Sequence, residues 1–138
     1  MWPRHNLGCV HILSALFIDT IDARSIPGPT TRLDLTGVQF SAPAPQAFPF
    51  TWAPHLVVII HCGSDEPSNA VLEVTFLRDG EQVARNAQPL QIEPGKFSYR
   101  LVRAELPFDA PGTVEAHCRI DLTPAIVVPY TMMPAVEE

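Results

Sequence analysis

Two His-Cys dipeptides, His61-Cys62 and His117-Cys118, are the residues of this sequence best suited to binding a metal ion. With Cys9 and His11 near the amino terminus, they offer the imidazole and thiolate groups that zinc prefers. Consecutive residues of a β-strand point to opposite faces, however, so neither dipeptide can present both side chains to one ion. The spacing also lacks the short, regular intervals of structural zinc sites. We therefore predict no metal and no cofactor, with the cysteines in the core and the histidines in solvent.

No pattern in the sequence indicates an active site. The Gly-x-Ser-x-Gly turn that exposes a nucleophilic serine is absent. The seven glycines never form a phosphate-binding loop. Ser64 and Ser68 lie in a polar segment where serine is common in turns, and Asp65-Glu66 is typical of a solvated loop. We predict that the protein is not an enzyme and has no catalytic residues.

Three aromatic residues, Phe48, Phe50 and Trp52, alternate in the segment AFPFTWAP, which Pro49 and Pro54 stiffen. They could close the open end of a β-sandwich. They could also form an apolar patch that docks onto a second copy or a protein partner, since Phe and Trp commonly anchor interfaces. The sequence therefore predicts an interaction or accessory module, self-associating through this loop or through an exposed sheet edge.

A second hypothesis is a small-ligand or metal-binding sandwich or barrel. His55, His61 and His117 would then lie at the mouth of the barrel and form its ligand site. Metal analysis together with light scattering would separate this protein from a metal-free dimer.

Composition and charge exclude several classes of partner. The formal charge is −6, and only nine basic residues are spread along the chain, whereas nucleic acid and anionic membranes both require clustered Lys and Arg. The apolar run Leu7–Ile18 is shorter than a membrane span and is followed by Asp19 and Asp22, which argues against a secretory signal. The chain has three cysteines, and an odd number fits a cytosolic protein with reduced cysteines better than a disulfide framework. We predict a cytoplasmic protein.

Fifteen prolines divide the sequence into segments short enough for strands and mostly too short for helices. Cys9–Ile18 and Arg32–Phe40 are predicted to form a hairpin around the turn 23–30, and 41–54 is a connection. His55–Cys62 is almost wholly apolar, which is typical of a central strand. The remaining predicted strands are 71–78, 81–85, which follows the hairpin turn Asp79-Gly80, 96–105, 114–122 and 125–132.

The strand from Val114 to Leu122 has the clearest alternation, with Val114, Ala116, Cys118, Ile120 and Leu122 facing inward. Pro129 lies within the last strand and predicts that this strand is at an edge. About seven to nine short strands separated by turns predict an antiparallel all-β sandwich or barrel. Without internal repeats or linkers, residues 1–138 are predicted to form one domain.

Three stretches resemble an uncharacterised bacterial family of small β-sandwich proteins that carry a domain of unknown function. They are Leu16–Phe40, Val71–Val83 and Leu106–Asp121. The resemblance implies an immunoglobulin-like β-sandwich and no activity. Cys62 and Cys118 have the separation of the intersheet disulfide of immunoglobulin domains, but Phe76 and Ala116 replace the usual aromatic companions. We expect buried thiols at both positions, but the sequence does not decide whether a disulfide joins them.

Overall fold

The computed structural model describes residues 10–24, 32–63, 68–93 and 95–136. These residues form twelve β-strands and no helix. Accordingly, they contain no helix long and apolar enough to cross a membrane. The strands are β1 (Val10–Ile18), β2 (Thr20–Arg24), β3 (Arg32–Thr36), β4 (Ser41–Pro43), β5 (Phe50–Trp52), β6 (His55–Cys62), β7 (Ser68–Arg78), β8 (Glu81–Ile92), β9 (Phe97–Arg103), β10 (Leu106–Phe108), β11 (Gly112–Ile120) and β12 (Ile126–Met133).

A three-stranded antiparallel sheet has the order β1-β6-β9. The apolar strand His55–Cys62 lies at its centre, as the sequence predicts. On one face of this strand Leu56, Val58, Ile60 and Cys62 are fully buried. Since successive side chains alternate, His55, Val57, Ile59 and His61 point to the other face.

A five-stranded sheet has the order β4-β12-β11-β7-β8. Its pairings are antiparallel except for β4, which runs parallel to β12. The hairpin between β7 and β8 turns at Asp79-Gly80, where both residues have positive φ (52° and 81°), as the two-residue turn requires. This hairpin was predicted from the sequence and is confirmed.

The buried side chains of the two main sheets form one hydrophobic cluster. The three-stranded sheet contributes Phe17, Leu56 and Ile60, and the five-stranded sheet contributes Leu72, Val74, Cys118 and Tyr130, among others. The short pair β5–β10 adds Phe50 and Phe108 to the same cluster. The apolar alternation predicted for β11 is confirmed from Val114 to Ile120.

The predicted inward position of Leu122 is wrong, because this side chain is 91% exposed. The strand ends at Ile120, and Asp121 turns the chain with a φ of 50°. The Asp121 carboxylate accepts a hydrogen bond from the Val71 amide at 2.9 Å, which holds this turn against β7. The period-two pattern therefore continues in the sequence beyond the end of the strand.

The predicted hairpin between Cys9–Ile18 and Arg32–Phe40 forms only in part, since a single isolated antiparallel bridge joins Phe17 to Gln39. The rest of the pairing differs. β1 pairs with β6, and β3 pairs with β2, a separate strand that follows the bend at Asp19. Both Phe17 and Ile18 are almost fully buried. Consecutive strand residues point to opposite faces, so the side chains of β1 must be covered on both faces of the strand. A position beside the apolar strand β6, in a sheet that is buried on both faces there, meets this requirement. Residues of the predicted turn from 25 to 30 lie outside the described part of the chain.

The strand count exceeds the seven to nine that the sequence predicts. The connection 41–54 contains the three-residue strands β4 and β5, and the segment between the predicted strands 96–105 and 114–122 contains β10. The predicted strand 81–85 extends to Ile92. Proline lies within β4, β8 and β10, and these are strands with an unpaired side, where the missing amide donor costs little.

The edge position predicted for the last strand is wrong, because β12 lies between β11 and β4. Its outer pairing with β4 spans only Thr131–Met133. The Thr131 amide donates outward to the Phe40 carbonyl at 3.1 Å, and Pro129, two residues earlier, has its nitrogen on the same outer side. The proline therefore lies where the strand has no outer partner, and it leaves the ladder with β11 intact.

Candidate interaction surface

The three aromatic residues predicted to form an interface pack onto the hydrophobic core. Phe50 is only 9% exposed, and Phe48 and Trp52 are partly buried against the core. The Phe50 ring lies 5.1 Å from that of Phe48 and 6.2 Å from that of Phe108, measured between centroids. The indole of Trp52 lies 6.5 Å from the ring of Tyr130. This arrangement corresponds to the alternative in which the aromatic residues close one end of the core.

A cleft of about 700 Å³ lies beside this aromatic cluster, between the β5–β10 pair and the β7–β8 hairpin. Arg78 lines it, and its guanidinium lies 5.2 Å from the centre of the Phe108 ring. The same guanidinium donates a hydrogen bond to the Ala110 carbonyl at 2.8 Å and lies 3.6 Å from the Asp109 carboxylate. These contacts hold the Arg78 guanidinium against the loop after β10, so Arg78 has a structural role.

The three histidines of the alternative ligand site do not come together. His55 and His61 lie at opposite ends of β6 on the outer face of the three-stranded sheet, whereas His117 lies on the outer face of the five-stranded sheet. His55 Nδ1 is 3.4 Å from the Asp19 carbonyl, and His117 Nε2 is 3.3 Å from a carboxylate oxygen of Glu115. Within the described ranges, no group of three or more His, Cys, Asp or Glu side chains is placed to hold a metal ion.

Cys62 and Cys118 are buried and no disulfide joins them, while Cys9 lies outside the described residues. Burial raises the pKa of the Cys118 thiol to about 12. A thiol with so high a pKa is protonated at neutral pH and is neither a nucleophile nor a metal ligand. Its sulfur lies 4.0 Å from the Ala116 carbonyl, so Cys118 fills the core as a small apolar residue.

Cys118→Ser is therefore expected to lower the free energy of unfolding by about 1–3 kcal/mol, because it buries a hydroxyl without an assured partner. The neighbouring exchange His117→Ala, on the outer face, is expected to cost less than about 0.5 kcal/mol. Urea unfolding of both variants measures the difference. Equal and large losses for the two variants would contradict the core role of Cys118.

The outer face of the three-stranded sheet exposes large apolar side chains to solvent. We define this outer face by the residues that alternate with the core-facing ones, together with Leu13 at the bulge in β1. They are His11, Leu13, Ser14, Leu16 and Ile18 on β1, His55, Val57, Ile59 and His61 on β6, and Phe97, Tyr99, Leu101 and Arg103 on β9.

Large apolar side chains of the outer face are open to solvent. Phe97 is 51% exposed, Leu13 49% and Leu101 41%. Ile59 of β6 and Tyr99 of β9 are direct cross-strand partners, and both are partly exposed. Val57 and Ile18 are nearly inaccessible, although they belong to this face and not to the main core cluster, so the chain itself covers one part of it. The remainder is an aromatic and aliphatic surface.

The two outer faces differ in charge. No Asp or Glu belongs to the outer face of the three-stranded sheet, which carries only Arg103 and histidines as ionisable groups besides Tyr99. On the outer face of the five-stranded sheet, Glu73 lies 2.7 Å from Arg85 and 3.0 Å from Arg119. Hydrogen bonds from Arg85 and then Arg119 lower the pKa of Glu73. The second face is thus an ion-paired surface suited to water.

The outermost strands of the five-stranded sheet are poorly suited to edge pairing. Pro43 in β4 and Pro89 in β8 each remove a backbone donor, and proline on edge strands hinders pairing with another chain. The side-chain amide of Gln88 in β8 also donates to the Leu101 carbonyl of β9 at 3.4 Å. The broad outer face is therefore a better candidate for docking than these edges.

Sequence reasoning missed the outer face, although its signal was present. Phe97, Tyr99 and Leu101 alternate within the predicted strand 96–105, with Ser98 and Arg100 between them. This pattern indicates one apolar face, but the pattern alone does not say whether that face lies inward. Only Val102, with the opposite parity, is buried.

Comparison with known proteins adds no relative. No protein-family model matches the chain, and no curated protein matches it. The resemblance to the bacterial β-sandwich family therefore stays an expectation from the sequence.

Proposed function

We propose that the chain is a non-enzymatic interaction module that associates with a second copy of itself through the outer face of the three-stranded sheet. The observation that carries this proposal is the exposure of Phe97, Leu13 and Leu101 on one sheet face. Contiguous apolar surface of this kind, especially with aromatic residues, is typical of interaction sites. Burying it in a dimer would remove these side chains from water.

A second copy is the proposed partner because of the distribution of charge. The chain has a formal charge of −6, so two copies repel each other wherever carboxylates meet. In a twofold symmetric dimer, the same patch of both copies forms the interface, and a patch with few charges meets itself without that repulsion. The outer face of the three-stranded sheet carries no carboxylate, whereas the other sheet places Glu73 and Glu115 on its outer face.

We also propose that the two main sheets form an immunoglobulin-like sandwich and that the protein works in the cytoplasm. The single hydrophobic cluster shared by the two sheets supports the sandwich. The buried thiol of Cys118 supports a reducing compartment.

Phe97→Glu tests the self-association. The substitution places a carboxylate at the exposed, apolar end of β9, where it would face a second copy. We expect the dimer dissociation constant to rise more than tenfold, since truncating an interface aromatic commonly costs about 2 kcal/mol or more. Sedimentation equilibrium over a range of protein concentrations measures this change.

Phe40→Glu is the matched control. Phe40 is 71% exposed and lies outside the outer face, just before β4. We expect this variant to dimerise like the unmodified chain, and both variants to unfold within about 0.5 kcal/mol of it, as surface substitutions usually do. An unmodified chain that stays monomeric at high concentration, or equal weakening by both substitutions, would refute the proposed interface.

A further inference from the structure

Two histidines face each other across neighbouring strands at one end of the outer face. His11 of β1 and His61 of β6 are directly opposite in the antiparallel register. Their ring centroids lie 5.3 Å apart, with the rings nearly perpendicular. No hydrogen bond to another described residue engages either imidazole. All four ring nitrogens of the pair therefore lack a protein partner within the described chain.

The separation of the rings suits chelation. Zinc binds imidazole nitrogen at about 2.0–2.1 Å, so two nitrogens on one tetrahedral ion lie roughly 3.3 Å apart. Rings whose centroids are 5.3 Å apart can reach this separation by rotation of the side chains. The Phe97 ring lies 4.4 Å from that of His61 and flanks it on the side away from His11, because β6 lies between β1 and β9. This neighbour limits the directions in which the His61 ring can turn.

We propose that His11 and His61 form a two-histidine site for a divalent transition-metal ion of the nickel, copper and zinc class. Imidazole is a ligand that these metals favour, whereas magnesium and calcium require oxygen ligands. His11 is exposed and His61 partly so, and water can complete the coordination. With two protein ligands instead of the four of a closed structural site, the site binds an ion reversibly and is not needed for folding.

Both ligands belong to one copy of the chain, so the site is complete without a second copy. Because a dimer through the outer face would cover it, the metal titration is made at concentrations at which sedimentation shows a monomer. The site also differs from the ligand site predicted from the sequence, since it contains His61 but neither His55 nor His117. The cross-strand partner of His61 is set by the register between β1 and β6.

Calorimetric titration of the full chain, without a histidine tag, with Ni²⁺ tests the proposal. We expect one ion per chain and at least a tenfold loss of affinity in His11→Ala and in His61→Ala. His55→Ala is the matched control, because His55 lies on the same strand and the same face as His61 but opposite Ile18. We expect His55→Ala and His117→Ala to bind Ni²⁺ like the unmodified chain.

Thermal melts of the metal-free variants separate lost ligands from lost structure. We expect the melting temperature of His11→Ala to stay unchanged, because that side chain is exposed. Absence of Ni²⁺ binding, unchanged binding in either single variant, or an equal loss in His55→Ala would overturn the site. Sedimentation of the same metal-free samples reports separately on self-association, so failure of one proposal is distinguishable from failure of the other.

Discussion

Phe50→Ala is expected to lower the free energy of unfolding by about 3–5 kcal/mol, as removal of a large core side chain does. Phe50 is almost fully buried and contacts the rings of Phe48 and Phe108 at one end of the core. Alanine removes the ring that fills the space between Phe48 and Phe108. Urea unfolding monitored by far-ultraviolet dichroism measures the loss.

The same variant separates the two sequence-based hypotheses for the aromatic segment. If Phe50 closes the core, its loss destabilises the chain without changing the dimer dissociation constant under native conditions. Phe48→Ala is the internal comparison, because Phe48 is only partly buried, and we expect it to cost less. A stable Phe50→Ala variant with weakened association would instead show that the segment is an interface.

Gly37→Ala is expected to lower the free energy of unfolding by about 2–5 kcal/mol. Gly37 has a φ of +70°, and an L-residue in this region costs about 1–2 kcal/mol. A Cβ atom at Gly37 would also overlap the Asp19 side chain, and such overpacking typically adds about 1–3 kcal/mol. Asp19 cannot move away at no cost, since its carboxylate accepts a hydrogen bond from Gln39, which in turn accepts one from the Tyr130 hydroxyl at 2.7 Å.

Gly80→Ala is the matched control for backbone strain. Gly80 also has a positive φ, +81°, but a Cβ atom there would meet nothing within 4 Å. Its cost therefore measures the strain alone, and the excess cost of Gly37→Ala measures the overlap with Asp19. In the Asp19→Ala background this excess is expected to shrink. Equal losses for the two glycine variants would contradict the steric argument.

The sequence predicted strands well where their period or apolarity reflects a buried environment. The continuous apolar run of β6 and the alternation of β11 are set by the core that covers them, so both could be read locally. The partner of β1 could not, because pairing with β6 joins residues 37 to 52 positions apart and depends on the register. The three-residue strands β4, β5 and β10 escaped prediction because β4 and β10 contain proline and Pro49 and Pro54 flank β5, a pattern that resembles a loop.

In the candidate sites, too, local sequence patterns could be read directly, whereas features that depend on burial or on strand pairing could not. The composition of the aromatic segment identified Phe48, Phe50 and Trp52 as structurally important, but it did not predict how far each of them is buried against the core. The argument that a His-Cys dipeptide cannot chelate one ion agrees with the structure, where Cys62 faces the core and His61 faces outward. The pairing of His61 with His11 required the strand register, which no local pattern contains.

Self-association through the outer face is tested most directly by methyl NMR of the unmodified chain with a soluble paramagnetic probe, recorded at low and high protein concentration. Leu101 on the outer face and Val127 on the five-stranded sheet are exposed to similar extents, 41% and 45%, so each serves as a reference for the other. The account predicts that the methyl groups of Leu13, Ile59 and Leu101 become protected from the probe as the concentration rises, while those of Val127 and Val71 stay accessible. Unchanged accessibility of Leu101, or protection that appears at Val127 instead, would contradict it.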